Sequence, residues 1–334
     1  MKIRICIITM FVILIFILNT VAHVPISAGE NNSLETAIKV KEPTKSWAIY
    51  DEIHEPGESK YYKFTMEQGQ RLKISLFVTK KGFTPGVVVM GKGLTSQGIL
   101  PSGVEIPTGY NYLVFEGEKT ITREYEPFTP SSYYFTADVD ITVNNTDVYY
   151  IAVFDESEHG KVGIAIGFIE TFSVTEWLLI PINAINIHIW EGQNITVIIA
   201  PLYLTIITGI GILLWIWKKE HKLQLNNQAT LGLIAAFLFI GSGLMILMQM
   251  IIALAGSSAD NSVIITLLFG LLPILFGILL IRTSMRIVKE LNKTNRAILL
   301  VIGIFGLIFW SGVIIGPVLT IISSLLPNMT TLKK

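Results

Sequence analysis

The chain has 334 residues, with 25 basic and 25 acidic side chains and a formal net charge of zero. At 51% apolar and 15% charged residues it is too apolar for an ordinary soluble globule. Disorder, nucleic-acid binding and a disulfide-stapled secreted fold are excluded for the chain as a whole. The zero net charge hides a segregation. Residues 30–194 hold 22 Asp/Glu against 13 Lys/Arg, a net of −9, and the remainder holds 12 Lys/Arg against Glu220, Asp260 and Glu290.

Residues 1–28 read as a signal peptide or an uncleaved signal anchor. Lys2 and Arg4 precede an apolar run from Ile5 to Leu18, and small residues follow at Thr20/Ala22 and Ser27/Ala28. Either form sends the next segment outside the membrane. Cys6, the only cysteine, lies in this run, so the segment beyond it has no disulfide, thiol nucleophile or thiolate metal site.

Residues 30–174 read as β structure. Arg71–Thr79 and Thr136–Val143 alternate apolar and polar with period two, as half-buried strands do. Val148–Phe154 is apolar on both faces and reads as a central strand. Lys161–Phe168 follows after the polar turn Asp155–Gly160, which predicts a hairpin between the two. Trp47–Tyr50, Tyr61–Thr65, Val87–Met90 and Tyr112–Phe115 are shorter strand candidates. Short strands with Gly/Pro turns at this density predict an all-β sandwich or jelly roll.

Particular residues then carry a resemblance. Asn32-Ser33-Leu34-Glu35-Thr36-Ala37 opens the segment, and Glu58-Ser59-Lys60-Tyr61-Tyr62-Lys63-Phe64 and the turn Gln68-Gly69-Gln70-Arg71 follow. Val148-Tyr149-Tyr150-Ile151-Ala152-Val153 comes late. Over residues 32–169 this layout resembles the prokaryotic pre-peptidase C-terminal domain, a small secreted β-sandwich. The resemblance implies a binding or secretion accessory, with calcium in some members. Glu58-Ser59-Lys60 stands where the family often has acidic residues, which weighs against a calcium site. Residues 82–131 look like a long Gly/Pro-rich insertion.

Thr175–Trp190, within 175–192, places Leu178, Ile182, Ile185 and Ile189 on one helical face. This predicts an amphipathic helix, lying on the outer leaflet or packed under the ectodomain. Pro181 is compatible with it only near the first turn.

Four uncharged apolar runs, Ile195–Trp217, Ala229–Ala255, Val263–Ile281 and Ala297–Ile322, predict four transmembrane helices within 195–322. Lys218, Lys219 and Lys222 mark the first loop as cytoplasmic, and Arg282, Arg286, Lys289, Lys293 and Arg296 mark the third. Gly256–Asn261 has no base, and falls outside. The tail 323–334 is then expected outside, against the sense of Lys333 and Lys334. Trp190, Trp215 and Trp217 fall at interfaces, and Trp310 does not. Gly209, Gly211, Gly241 and Gly243, and the pair Gly312/Gly316, suit close helix packing.

No residue is assigned to catalysis, a cofactor or a metal. Asp51-Glu52-Ile53-His54-Glu55, the pair Asp138/Asp140, and Asp155, Glu156, Glu158 and His159 read as solvated polar positions. No nucleophile elbow, P-loop, H-E-x-x-H or dinucleotide fingerprint occurs. Gln249, Pro201, Pro273 and Pro317 are the candidates for a transport site within the spans. Asn31, Asn144, Asn194 and Asn328 are sequons on the expected outer side, and Asn292 is one in the expected cytoplasm. The expectation is a multi-pass cell-membrane protein with its large domain extracytoplasmic, acting in binding or scaffolding. The alternative is an accessory subunit of a transport or secretion complex. Expected partners are the lipid bilayer and a membrane protein or an envelope polymer, with no nucleic acid.

Overall fold

The computed structural model describes residues 23–220, 225–289 and 292–327. The leader run, Cys6, Lys222, the Asn328 sequon and the terminal lysines lie outside them. The chain forms two compact units. One is β-rich and comprises the described residues up to Phe77, Phe83–Glu118 and Thr136–Phe172. The other is mainly helical and comprises Val78–Gly82, Lys119–Phe135 and the described residues from Ser173 on.

The strands in chain order are β1 (Val24–Ser27), β2 (Ile38–Lys39), β3 (Trp47–Ile53), β4 (Ser59–Met66), β5 (Arg71–Val78), β6 (Gly86–Gly91), β7 (Asn111–Phe115), β8 (Glu124–Glu126), β9 (Ser131–Thr142), β10 (Asp147–Phe154) and β11 (Gly160–Ile166). All eight strands expected from the sequence are present. In the β-rich unit one sheet runs β1-β3-β11-β5-β9 and the other β2-β4-β10-β6-β7. The sheets meet through Tyr62 of β4, whose hydroxyl donates to Asp51 of β3. β10 is central, between β4 and β6.

Three expectations change here. β10 and β11 are not a hairpin, because β11 pairs with β3 in the other sheet. The Asp155 side chain accepts from the amides of Ser157 and Glu158, both at 2.9 Å, and its carbonyl accepts from Gly57 at 2.8 Å. The turn is therefore an arch tied down by its own polar groups. Val24–Ser27, assigned to the leader segment, is a strand parallel to β3, with Val24 buried. Finally, residues 82–131 are not one insertion. β6 and β7 belong to the second sheet, whereas Lys119–Phe135 belongs to the helical unit.

The helices are α1 (Val174–Trp190), α2 (Ile195–Ile198), α3 (Ala200–Glu220), α4 (Asn227–Leu254), α5 (Val263–Lys289), α6 (Lys293–Ile308) and α7 (Ile315–Leu325). A Ser173/Glu176 capping box starts α1. Among the described residues, three helices are long and apolar enough to cross a membrane: Ala200–Lys219, Asn227–Leu254 and Val263–Val288. The small residues do pack closely. A Cβ on Gly209 would strike the Phe237 ring, and one on Gly241 would come within 2.8 Å of the Leu202 backbone, while Gly211 has open space.

The fourth expected span, Ala297–Ile322, is broken. Trp310, Gly312, Val313 and Ile314 have φ of 51°, 71°, 52° and 64°, left-handed values that end a right-handed helix. Gly312 thus lies in the break and Gly316 in the first turn of α7, and both pack closely, since a Cβ on either would come within 2.8 Å of the Phe239 ring of α4. At 1.5 Å per residue α6 spans roughly 24 Å and α7 roughly 17 Å, each short of a hydrocarbon core of about 30 Å. The two fold back on each other. Arg296 at the start of α6 donates to the carbonyl of Leu326, just past the end of α7. Gln228 at the start of α4 donates to the same carbonyl at 2.6 Å, and Asn226 reaches the Ile287 carbonyl at 3.4 Å. The starts of α4 and α6 and the ends of α5 and α7 therefore gather at one end of the unit.

The apex between α6 and α7 is held from two sides. Ser242 of α4 accepts the Gly312 amide at 2.7 Å and donates to the Phe239 carbonyl at 2.9 Å. On the other side lies α1, where Pro181 sits well past the first turn. Proline has no N–H, so the Trp177 carbonyl four residues back loses its helical partner. Trp310 supplies one instead, its Nε1 donating to that carbonyl at 2.9 Å. The indole also stacks on Phe269, with centroids 5.0 Å apart. Trp310→Phe keeps most of the stacking and removes this bond. The expected cost is about 0.5–1.5 kcal/mol, read as a lowered unfolding midpoint of the full chain in detergent.

Residues Lys119–Phe135 form a ribbon on the helices. Glu124–Glu126 pairs with Ser131–Tyr133. Tyr125 donates to Thr266 of α5 at 2.6 Å, and Thr266 donates to the Pro127 carbonyl at 2.7 Å.

Candidate functional site

Two helices of the second unit present matching stripes. Pro181, Ala184, Ile185 and His188 recur on α1 at i, i+3, i+4 and i+7, and Ser242, Met245, Ile246 and Gln249 do so on α4. Residues at this spacing share one helix face. The stripes line a small, partly open groove bounded by Phe128, Pro130, Trp310 and Val313. The stripe expected on α1 is displaced: Ile185 lines the groove, but Ile182 and Ile189 are exposed. Each stripe ends in a polar side chain, His188 or Gln249.

Those two ends belong to one buried network. His188 Nδ1 lies 2.9 Å from Glu191 Oε2, and the Tyr133 hydroxyl donates to Glu191 Oε1 at 2.5 Å. Gln193 donates to Glu191 at 3.3 Å and to Gln249 at 3.0 Å, and Gln249 returns a bond to Gln193 at 2.9 Å. Burial by itself would raise the Glu191 carboxyl. His188, through both its bond and its charge, outweighs it together with the bond from Tyr133 and holds the group below the usual carboxylate range.

A nucleophilic catalyst would need an uncommitted hydroxyl or thiol beside the His188–Glu191 pair. Ser242, the hydroxyl in the lining, is already bonded to Phe239 and Gly312. The walls are aliphatic and aromatic, with a few polar groups converging at one end, as in sites for apolar ligands.

The residues weighed from the sequence lie apart. Asp51 is buried, not solvated. It accepts from Asn31 at 3.0 Å and from Tyr62, while His54 is exposed and reaches Glu58. Asp138 accepts from Ser75, and Asp140 pairs with Arg71 at 2.5 Å. Asp155 organises its turn, and Glu156 bonds Ser102 at 3.0 Å. Among the described residues no three His, Cys, Asp or Glu converge as a metal site. Where the resembled family often has acids, the buried Lys60 ammonium lies 2.8 Å from both Glu58 and Asn32, a built-in cation. Asn31 is fully buried, so its sequon is closed to modification in the folded chain, whereas Asn144 and Asn194 are exposed. Gln249 was legible as a buried polar residue in a span. Tyr133, Glu191 and Gln193 were not singled out, although the repeated i, i+3, i+4, i+7 stripes ending in His188 and Gln249 were there to be found.

Glu126, in the ribbon, is pushed up to about 7 by burial, opposed by its bond from the Phe128 amide at 3.1 Å. A carboxyl with a raised folded-state value favours folding while protonated. Its contribution declines as pH rises from the unfolded value near 4.5 through about 7. Glu126→Gln should therefore raise the unfolding midpoint at pH 8 relative to wild type and leave it nearly unchanged at pH 5.

No family model matches the chain, and no curated protein does. Among solved structures, the chain is similar to the pre-peptidase C-terminal domain of a collagenase from Bacillus anthracis, at 11% identity and a TM-score of 0.25. The match covers 42% of this chain and 99% of that one. A likeness at that score carries no argument, and the β-rich unit rests on its own strand pairings.

Proposed function

We propose that the chain is a membrane-anchored binding protein of the cell surface. In this reading its β-rich unit is an extracytoplasmic sandwich, α3, α4 and α5 cross the bilayer, and the α1–α4 groove is the binding site. The groove, with apolar walls and a satisfied polar end, is the observation that carries the reading. The acidic residues 30–194, the basic leader and the basic loops support the orientation. The break at 309–314 changes the expected tail. With α6 and α7 entering and leaving at the end that also holds Arg282, Arg286 and Arg296, the chain after Leu326 belongs to the cytoplasmic side, and Lys333 and Lys334 then follow the positive-inside rule. Of the two candidate leader sites, the one after Ala22 leaves β1 intact.

Protease applied to intact cells should digest the β-rich unit and spare a C-terminal tag until lysis. A β-rich unit protected in intact cells overturns the orientation, and a tag digested from outside overturns the return of the tail.

One observation favours the second reading, an accessory subunit of a transport or secretion complex. α3 is almost wholly unburied, with Ile207, Leu214, Trp215 and Trp217 each about 60% exposed. A stoichiometric membrane protein that co-purifies with wild type and is lost on substituting these residues would support it.

A further inference from the structure

We propose that Asn144 carries an N-linked oligosaccharide, as the one sequon among the described residues at which the folded chain has room for it. The proposal rests on the β-rich unit being extracytoplasmic and adds a modification site to that reading. Asn-x-Ser/Thr is an acceptor in secreted segments but recurs by chance, so local structure has to discriminate among the copies. The sugar joins the side-chain Nδ2, and the state of that atom is the first criterion. At Asn31 it is taken. The residue is fully buried, and its Nδ2 donates to Asp51 at 3.0 Å and to the Tyr61 carbonyl at 3.4 Å. At Asn194 the sequon runs into α2. The side chain caps the Thr196 amide at 2.8 Å, and Ile195 and Val197 are half exposed just before α3. Sugar hydroxyls there would be set against apolar side chains and lipid, away from water. Asn292 caps α6, at the end of the helical unit that the proposed orientation places in the cytoplasm.

Asn144 differs from all of these. It sits in the turn joining β9 to β10, and Asn144, Asn145 and Thr146 are all exposed. The turn is fixed around it. The Val143 amide donates to the Gln70 carbonyl, and the Val143 carbonyl accepts from Gly69, both at 2.9 Å. Tyr149 donates to the Asn145 carbonyl at 3.0 Å, and Thr146 Oγ1 accepts from the Gln68 amide at 2.9 Å. Among the described residues no hydrogen bond holds the Asn144 side chain, so a substituent on its Nδ2 breaks no polar contact of the fold. The donor is a lipid-phosphate-linked oligosaccharide, presented by the cell's transferase. Nδ2 bonds to the anomeric carbon while the bond from that carbon to the phosphate oxygen breaks. The lipid phosphate leaves with the electron pair, and one amide proton passes to the transferase.

The test takes the full chain from the membranes of the cells that make it and maps its peptides by mass spectrometry. The peptide holding Asn144 should carry an added oligosaccharide mass, and those holding Asn31, Asn194 and Asn292 should not. Asn144→Gln and Thr146→Val should both lose the added mass, whereas Thr146→Ser should keep it. Thr146→Val also removes the acceptor of the Gln68 amide, and wild type and Asn144→Gln decide the matter if that variant fails to fold. An unmodified Asn144 in a chain whose β-rich unit is digested from outside intact cells overturns the oligosaccharide and leaves the orientation standing. An unmodified Asn144 with that unit protected overturns both. Sugar on Asn31 or Asn194 overturns the selection of Asn144 by the fold, and sugar on Asn292 overturns the orientation.

Discussion

Glu191→Leu is expected to lower the stability of the full chain in detergent by about 3–5 kcal/mol, the cost of removing one partner from a buried charged network. His188, Tyr133 and Gln193 all converge on this carboxylate, and leucine would remove the acceptor the three share inside the unit. Glu191→Gln keeps an oxygen in place and should lose about half as much. The pH dependence separates this loss from a packing defect. Burial raises the Glu191 carboxyl, but His188, through both its bond and its charge, and the bond from Tyr133 depress it overall. Its contribution is therefore present above the unfolded carboxylate value and disappears as pH falls through the depressed folded one. Wild type and Glu191→Leu should converge in stability in acid and separate at neutral pH. Parallel curves across that range would show that the network is not what holds the unit.

The second large effect belongs to the β-rich unit. Lys60 is 2% exposed, an unusual place for a lysine, and its ammonium is held by Glu58 and Asn32. Lys60→Met preserves the apolar stem and removes the charge, leaving the Glu58 carboxylate with only the exposed His54 beside it. A loss of about 3 kcal/mol is expected, seen as earlier urea unfolding of the β signal with the helical signal unchanged. For Glu58 too, burial raises the carboxyl and the bond from Lys60 does most to lower it. The mutant should consequently lose the acid sensitivity that wild type shows as pH falls through the Glu58 transition. A midpoint unchanged by Lys60→Met would mean that the pair only balances its own desolvation.

The strands were legible because a half-buried strand repeats every two residues, and Leu72, Ile74, Leu76 and Val78 do so without interruption. The partner of each strand was not. The arch at Asp155 depends on bonds to the backbones of Gly57 and Thr84, far away in sequence, and nothing local distinguishes an arch from a hairpin. The broken span was hidden for a different reason. Hydropathy reports the solvent a segment prefers and says nothing of its backbone, and Trp310, Val313 and Ile314 adopt left-handed conformations because Ser242 and Trp177 supply partners. The network was half visible. His188 and Gln249 stand out as polar residues in apolar helices, but Tyr133 comes from a ribbon that period-two alternation did not mark.

The return of α7 to the starting end of α6 also constrains biogenesis. Neither helix is long enough to be released into lipid as an independent span, and the apex between them would carry bare peptide groups into hydrocarbon. Their insertion must follow that of α4, whose Ser242 receives the Gly312 amide, and the placement of α1, whose Trp177 carbonyl waits for Trp310. Ribosomal synthesis delivers those two acceptors first, so α6 and α7 emerge after the partners that their apex needs.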